Sequence, residues 1–171
     1  KALNDWTCLT GIDWELGVDT LYTDSIAKND SLCVITFANL NTNVIASSLS
    51  WRGTCPISGD PAVYYETDIE IDTTNLFFID TISTSIPPDY MDFYSIILHE
   101  LGHSHNLKHI IGSNSIMHYS ISPGQIKRDL ENDYSCDEGG NWVINFSTDL
   151  TNNLIDNCGL KNINANPSPP C

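Results

Sequence analysis

The stretch from His99 to His109, His-Glu-Leu-Gly-His-Ser-His-Asn-Leu-Lys-His, constrains this chain more than any other. Residues four apart share a face of an α-helix, so the imidazoles of His99 and His103 can reach one metal ion. Glu100, one step after the first histidine, can lean over the same ion as an acid-base group. His109 lies six residues past His103 and cannot share that face, so the chain must turn after Leu107. Asn106 suits such a reversal, because asparagine tolerates the left-handed conformation second only to glycine. All five histidines fall between positions 99 and 118, a concentration that points to a metal site.

The residue types define the chemistry. A neutral imidazole nitrogen donates well to zinc at about 2.0–2.1 Å, and a catalytic zinc keeps three protein ligands and one open position. His99, His103 and His109 supply that number. Zinc lowers the pKa of bound water to about 7, and Glu100 is placed to take the proton and pass it to a leaving amine. His105 is two residues from His103 and off the ligand face, which predicts a solvent or cleft-wall position. His118 reads as a packed, hydrogen-bonded histidine.

At 171 residues and 41% hydrophobic content, one domain spanning 1–171 with its own core is expected. No apolar run is long enough for a membrane helix, and no basic segment with an apolar core opens the chain, so any export signal is expected to be gone already. Seven basic against 22 acidic residues give a formal charge of −15, which argues against a nucleic-acid partner. The acidity is expected chiefly to confer solubility; the functional alternative is that the field around any cleft repels acidic substrates and attracts basic ones. Cysteines 8, 33, 55, 136, 158 and 171 form an even set without a C-x-x-C pair, as expected of disulfides in an exported protein. Cys8 with Cys33 is the favoured pairing, with the C-terminal cysteines holding the tail.

Along the chain, residues 1–7 read as the last turns of a helix, and Gly11 to Leu16 alternates like a strand. Leu32–Phe37 and Val44–Trp51 are β-rich runs separated by a turn signal at Asn39 to Asn43. From Tyr64 to Ile71 the alternation is strict, with Tyr65, Thr67, Ile69 and Ile71 on one face. Glu66, Asp68 and Glu70 then form an acidic outer face, and Asp68, Glu70 and Asp72 are a possible calcium set. Pro87-Pro88-Asp89 offers Asp89 as N-cap of the helix that carries His99 and His103. Ser122-Pro123-Gly124 precedes a second helix predicted over Gln125 to Tyr134. Asn29-Asp30-Ser31 and Asn145-Phe146-Ser147 match a glycosylation acceptor pattern that is frequent by chance.

The pattern His-Glu-x-x-His-x-x-Asn-x-x-His followed by Ser115-Ile116-Met117-His118-Tyr119 resembles the metzincin clan of zinc endopeptidases. Residues 95–109 and the eight-residue step to Met117 are similar to matrixins, whereas Ser-Ile-Met-His-Tyr resembles the astacin turn. With Gln125 to Arg128, the pattern is most similar to secreted matrixin-like proteases of Bacteroidetes-type bacteria. Asn106 stands where the family has glycine, and Ile110 where matrixins or astacins have Ser or Glu.

The resemblance implies an α/β (α+β) metzincin-type zincin fold. A twisted mixed sheet and the active-site helix would form an upper part, about 1–105, and residues 106–171 a small lower part. It implies His99, His103 and His109 as zinc ligands, Glu100 as the catalytic carboxylate, and Met117 as a floor beneath the metal. Tyr119 matches the astacin residue that ligates zinc and swings away to stabilise the oxyanion. The Leu49 region would bind a protein or peptide substrate in extended form by β-augmentation. A secreted, extracellular monomer is expected, open to a propeptide or inhibitor and without nucleic-acid or membrane partners. The competing reading, a non-catalytic zinc-binding relative acting as a protein-binding module, is disfavoured by the presence of Glu100.

Overall fold

A computed structural model describes residues 1–10, 12, 14, 17, 30, 32–40, 43–54, 62–105 and 107–130. Helix α1 spans Ala2–Thr10, and its residues Ala2 and Trp6, four apart, are buried in the core. Strands β1 (Ile35–Ala38), β2 (Ala46–Thr54) and β3 (Ala62–Asp72) form one sheet in the order β1-β3-β2. β1 runs parallel to β3 with Ile35 opposite Ile69, and β2 antiparallel with Ala46 opposite Ile71. Asn43 leads into β2 with φ 80°, a left-handed conformation that asparagine accepts more readily than most residues. Two short strands, β4 (Phe77–Phe78) and β5 (Met91–Asp92), pair in parallel just before the long helix.

Helix α2, Phe93–Ser104, is the spine of the molecule. Asp92 caps it, its side chain accepting from the Ser95 backbone N–H at 3.2 Å. The N-cap is therefore three residues later than the expected Asp89. Residues 89–90 are spent on a turn, with Tyr90 N–H donating to Pro87 C=O, and Met91 is held in β5. Almost the whole circumference of α2 is buried; Phe93, His99, His103 and Ser104 are its partly exposed residues. Tyr94, Ile97, Leu98 and Leu101 pack with Ile69 and Ile71 of the sheet, Trp6 of α1, and Ile116 and Met117 beyond the helix. Each such aliphatic side chain contributes about 1.5–3 kcal/mol by burial.

The expected acidic outer face of β3 is not outside. Glu66 and Asp68 are 2% and 0% exposed. β3 is central among the described strands, and its carboxylates stitch neighbouring backbone in place. Asp68 Oδ1 accepts from Val34 N–H and Asp72 Oδ1 from Leu40 N–H, both at 3.0 Å, so the two acids bracket β1.

The helix expected from Gln125 does not form over the described part, 125–130. The Gln125 side chain accepts from Ser122 N–H, and Lys127 N–H bonds to Ser95 Oγ at 2.8 Å, so these groups are committed elsewhere than to helical carbonyls. Cys33 carries a free, exposed thiol, so the expected Cys8–Cys33 disulfide is not made. Its sulfur instead accepts from Thr67 N–H. The strand reading of Gly11 to Leu16, the turn at Asn106 and the tail beyond residue 130 lie wholly or mostly outside the described residues.

Candidate active site

The Nε2 atoms of His99, His103 and His109 converge. They are 3.0 Å apart between His103 and His99, and 3.1 Å between His109 and each of the others. Among the described residues this is the one group of three or more His, Cys, Asp or Glu whose ligand atoms lie close enough for a metal ion. The other ring nitrogens define the tautomers. His99 Nδ1–H donates to Ile116 C=O at 2.6 Å, and His103 Nδ1–H to Leu107 C=O at 2.7 Å. With the protons at Nδ1, the Nε2 lone pairs of His99 and His103 face each other, a repulsive arrangement unless a cation sits between them. Tetrahedral zinc with bonds of about 2.0–2.1 Å would place ligand nitrogens about 3.3 Å apart. The observed spacing is close to that, so the residues present fit zinc.

Electrostatics prepare the same state. Burial lowers the His99 pKa to about 4, with further lowering from His103, His109 and Lys127 and opposition from the Ile116 hydrogen bond. Burial also lowers His103 and His109, the latter assisted by His118. All three rings are therefore neutral at pH 7, as metal ligation requires.

Glu100 is 4% exposed and its Oε2 has no hydrogen-bond partner, although the residue borders the cleft. Burial raises its pKa to about 7, where a carboxyl can both accept and release a proton near neutrality. Met117, 3% exposed, packs against Gly102 between the two helical histidines. The turn that presents it is tied by Ser115 N–H to Gly112 C=O, Met117 N–H to Ser115 Oγ, and Ile110 N–H to Met117 C=O. Ile110 thus aligns the His109 segment with the methionine turn through its backbone, which a change of side chain at that position leaves available.

Tyr119 borders the cleft and is 66% exposed, its ring 4.3 Å from that of His118. His118 is half-buried, lines the cleft and shares a hydrogen bond of 2.9 Å with Ser120 C=O.

His105 departs from its expected solvent or cleft-wall position. It is 2% exposed, stacked on Trp6 at 4.7 Å, and its Nδ1–H donates to Leu101 C=O. Its Nε2 accepts from Trp14 Nε1–H at 3.2 Å. The zinc motif encodes only the ligand face of α2; α1 packs on the helix elsewhere and brings Trp6 onto His105.

Asp68, Glu70 and Asp72 do not converge on a shared calcium position. The Asp72 carboxylate is consumed by Leu40 N–H, Thr74 and Asn75, which also lower its pKa.

The site opens into a cleft of about 1130 Å³. Ala46, Ser47, Ser48 and Ser50 of β2 line it, as do Ser95 and Ile96 of α2. Sequence reasoning missed Ser95, Lys127 and the two carbonyls that orient the histidines; backbone acceptors leave no trace in residue type.

A sequence model of the matrixin family matches residues 17–137, more than half of the chain. The chain belongs to the matrixin family, whose members are zinc metallopeptidases. No curated protein and no solved structure matches it.

Proposed function

We propose that the protein is a secreted zinc-dependent endopeptidase that hydrolyses peptide bonds of extended polypeptides. The observation that carries this reading is the convergence of the three Nε2 atoms beside a buried, unpartnered Glu100 in a cleft bordered by β2. His99, His103 and His109 would hold the zinc, with Ile116 and Leu107 carbonyls keeping two of the rings in the ligating tautomer. Bound there, zinc would supply Lewis acidity toward water and the scissile carbonyl.

The chain's own groups do the rest. Glu100 takes the proton from the attacking water and returns it to the leaving amine, its raised pKa matching both tasks. β2 lies at the edge of the described sheet, so a substrate strand can pair along it while its side chains enter the cleft. Tyr119, in an astacin-like turn, is a hydroxyl donor for the oxyanion or a fifth metal group; its exposed position leaves the ring free to swing. Export is part of the same reading, supported by six cysteines without a C-x-x-C pair.

The test is casein or gelatin cleavage by the zinc-loaded protein, after chelation, and after zinc is restored. Cleavage that disappears and returns supports the reading; zinc-loaded protein that cleaves nothing overturns it.

A further inference from the structure

The endopeptidase reading places a substrate strand along β2, and the following inference rests on that reading and deepens it. In the described sheet, β2 pairs on one side only, with β3. Asp72 N–H donates to Ile45 C=O at 2.9 Å, and Ala46 stands opposite Ile71 in the antiparallel register. Bonded and non-bonded pairs alternate along such a ladder, so Ala46, Ser48 and Ser50 fall in the non-bonded pairs. Their N–H and C=O groups point away from β3 to the open edge, where a substrate backbone would meet them.

The side chains of two of these residues are tied to the helix that carries the site. Ser50 Oγ lies 3.1 Å and Ser48 Oγ 3.5 Å from Thr67 Oγ1 of β3. Thr67 Oγ1–H donates to Ser104 Oγ at 3.2 Å, and Ser104 Oγ–H to Glu100 C=O at 3.2 Å. The direction of the chain is fixed from its far end. A carbonyl only accepts, so the one proton of Ser104 goes to Glu100 C=O and that of Thr67 to Ser104, and a serine of β2 donates to Thr67. Ser48, Ser50, Glu100 and His103 line the cleft, whereas Thr67 and Ser104 are not among its lining residues.

We propose that Thr67 is a positioning residue. Its hydroxyl holds β2 in register with the last turn of α2, so that a peptide paired along Ala46, Ser48 and Ser50 presents its scissile carbonyl at the three histidines. The strand positions that offer backbone bonds to a substrate thus include the two tethered to the turn carrying Glu100 and His103. Hydrogen bonds are directional and apolar contact is not, so the hydroxyl chain fixes a register that packing alone would leave free to slide. The setting matters because a misplacement of about 1 Å between a bound peptide and the catalytic groups can cost on the order of 100-fold in rate.

The experiment uses the zinc-loaded full chain, a peptide cleaved at one mapped bond, and versions of it shortened on either flank of that bond. Thr67→Val keeps a branched strand residue and removes only the hydroxyl; Thr67→Ser keeps the hydroxyl. In the parent, shortening the flank that pairs with β2 is expected to lower kcat/KM. Thr67→Val is expected to cut kcat on the full-length peptide roughly tenfold, and to change cleavage of the peptide lacking that flank by less than about twofold. Thr67→Ser is expected to recover the full-length rate, and all three proteins to hold equal zinc. Four results overturn the positioning role while leaving the endopeptidase reading standing: a Thr67→Val loss that is the same on long and short peptides or absent on the long one, a Thr67→Ser protein no better than Thr67→Val, a variant that loses its zinc, or a parent indifferent to both truncations. Failure of the zinc-loaded parent to cleave any peptide or casein overturns the endopeptidase reading itself.

Discussion

A methyl group added to Gly102 would lie 2.3 Å from the sulfur of Met117 and 3.2 Å from the Trp6 ring. Gly102 sits between Glu100 and His103, so Met117 presses directly on the turn of helix that carries them. Alanine would gain up to about 1 kcal/mol in helix propensity over glycine, against about 1–3 kcal/mol for overpacking. The Met117 thioether is flexible but buried, so it can yield only by shifting within the core beside Gly102. Gly102→Ala is expected to lower stability by about 1 kcal/mol and to weaken zinc binding. Thermal unfolding and a competitive chelator titration check both; unchanged zinc affinity would show that Met117 has room to move.

Arg128 and Asp92 form the second such relationship. Asp92 is fully buried and its carboxylate both caps α2 and receives the guanidinium. Removing one partner of a buried pair costs about 3–5 kcal/mol, because the other charge stays buried. Arg128→Ala is expected to destabilise the fold by about that amount and to loosen the 116–127 wall, and Arg128→Lys to recover part of the loss. Chemical denaturation measures this; a loss under 1 kcal/mol would mean that the pair is not structurally important.

Asp68 makes stability depend on pH. Its carboxyl is buried, Oδ2 has no partner, and desolvation raises its pKa from 3.8 to about 6, with Glu66, Asp30 and Glu70 adding repulsion and Val34 N–H opposing. A carboxyl whose folded pKa is raised favours the folded state when protonated, so its contribution is lost as pH climbs from about 4 through 6. Asp68→Asn keeps an acceptor for Val34 N–H and removes the charge. The variant is expected to melt a few degrees above the parent at pH 7 and to match it near pH 4. Identical melting curves at both pH values would rule out a buried charged carboxylate.

The site was more legible in the sequence than the scaffold, for physical reasons. Ligand spacing on a helix is local, so His99 and His103 could be paired from residue types alone, and the structure brings both imidazoles to that of His109. The strands were found as β-rich runs, with β1 and β2 displaced by two or three residues at their starts. Burial of Glu66 and Asp68 was not legible, because alternation reports a pleat and not what packs on each side. The non-helical path of 125–130 was missed for a related reason: Lys127 N–H finds Ser95 Oγ, a partner 32 residues away. His105 belongs with these, buried by Trp6 and Trp14 from distant segments.

The central claim is that Glu100 performs proton transfer at a metal held by the three histidines. It is tested most directly by measuring zinc content and peptide hydrolysis on the same samples of the parent and Glu100→Gln. Both proteins are expected to bind one zinc, with the variant slower by about 10²–10⁴-fold. A Glu100→Gln protein that cleaves as fast as the parent, or a fully zinc-loaded parent that cleaves nothing, would contradict the claim.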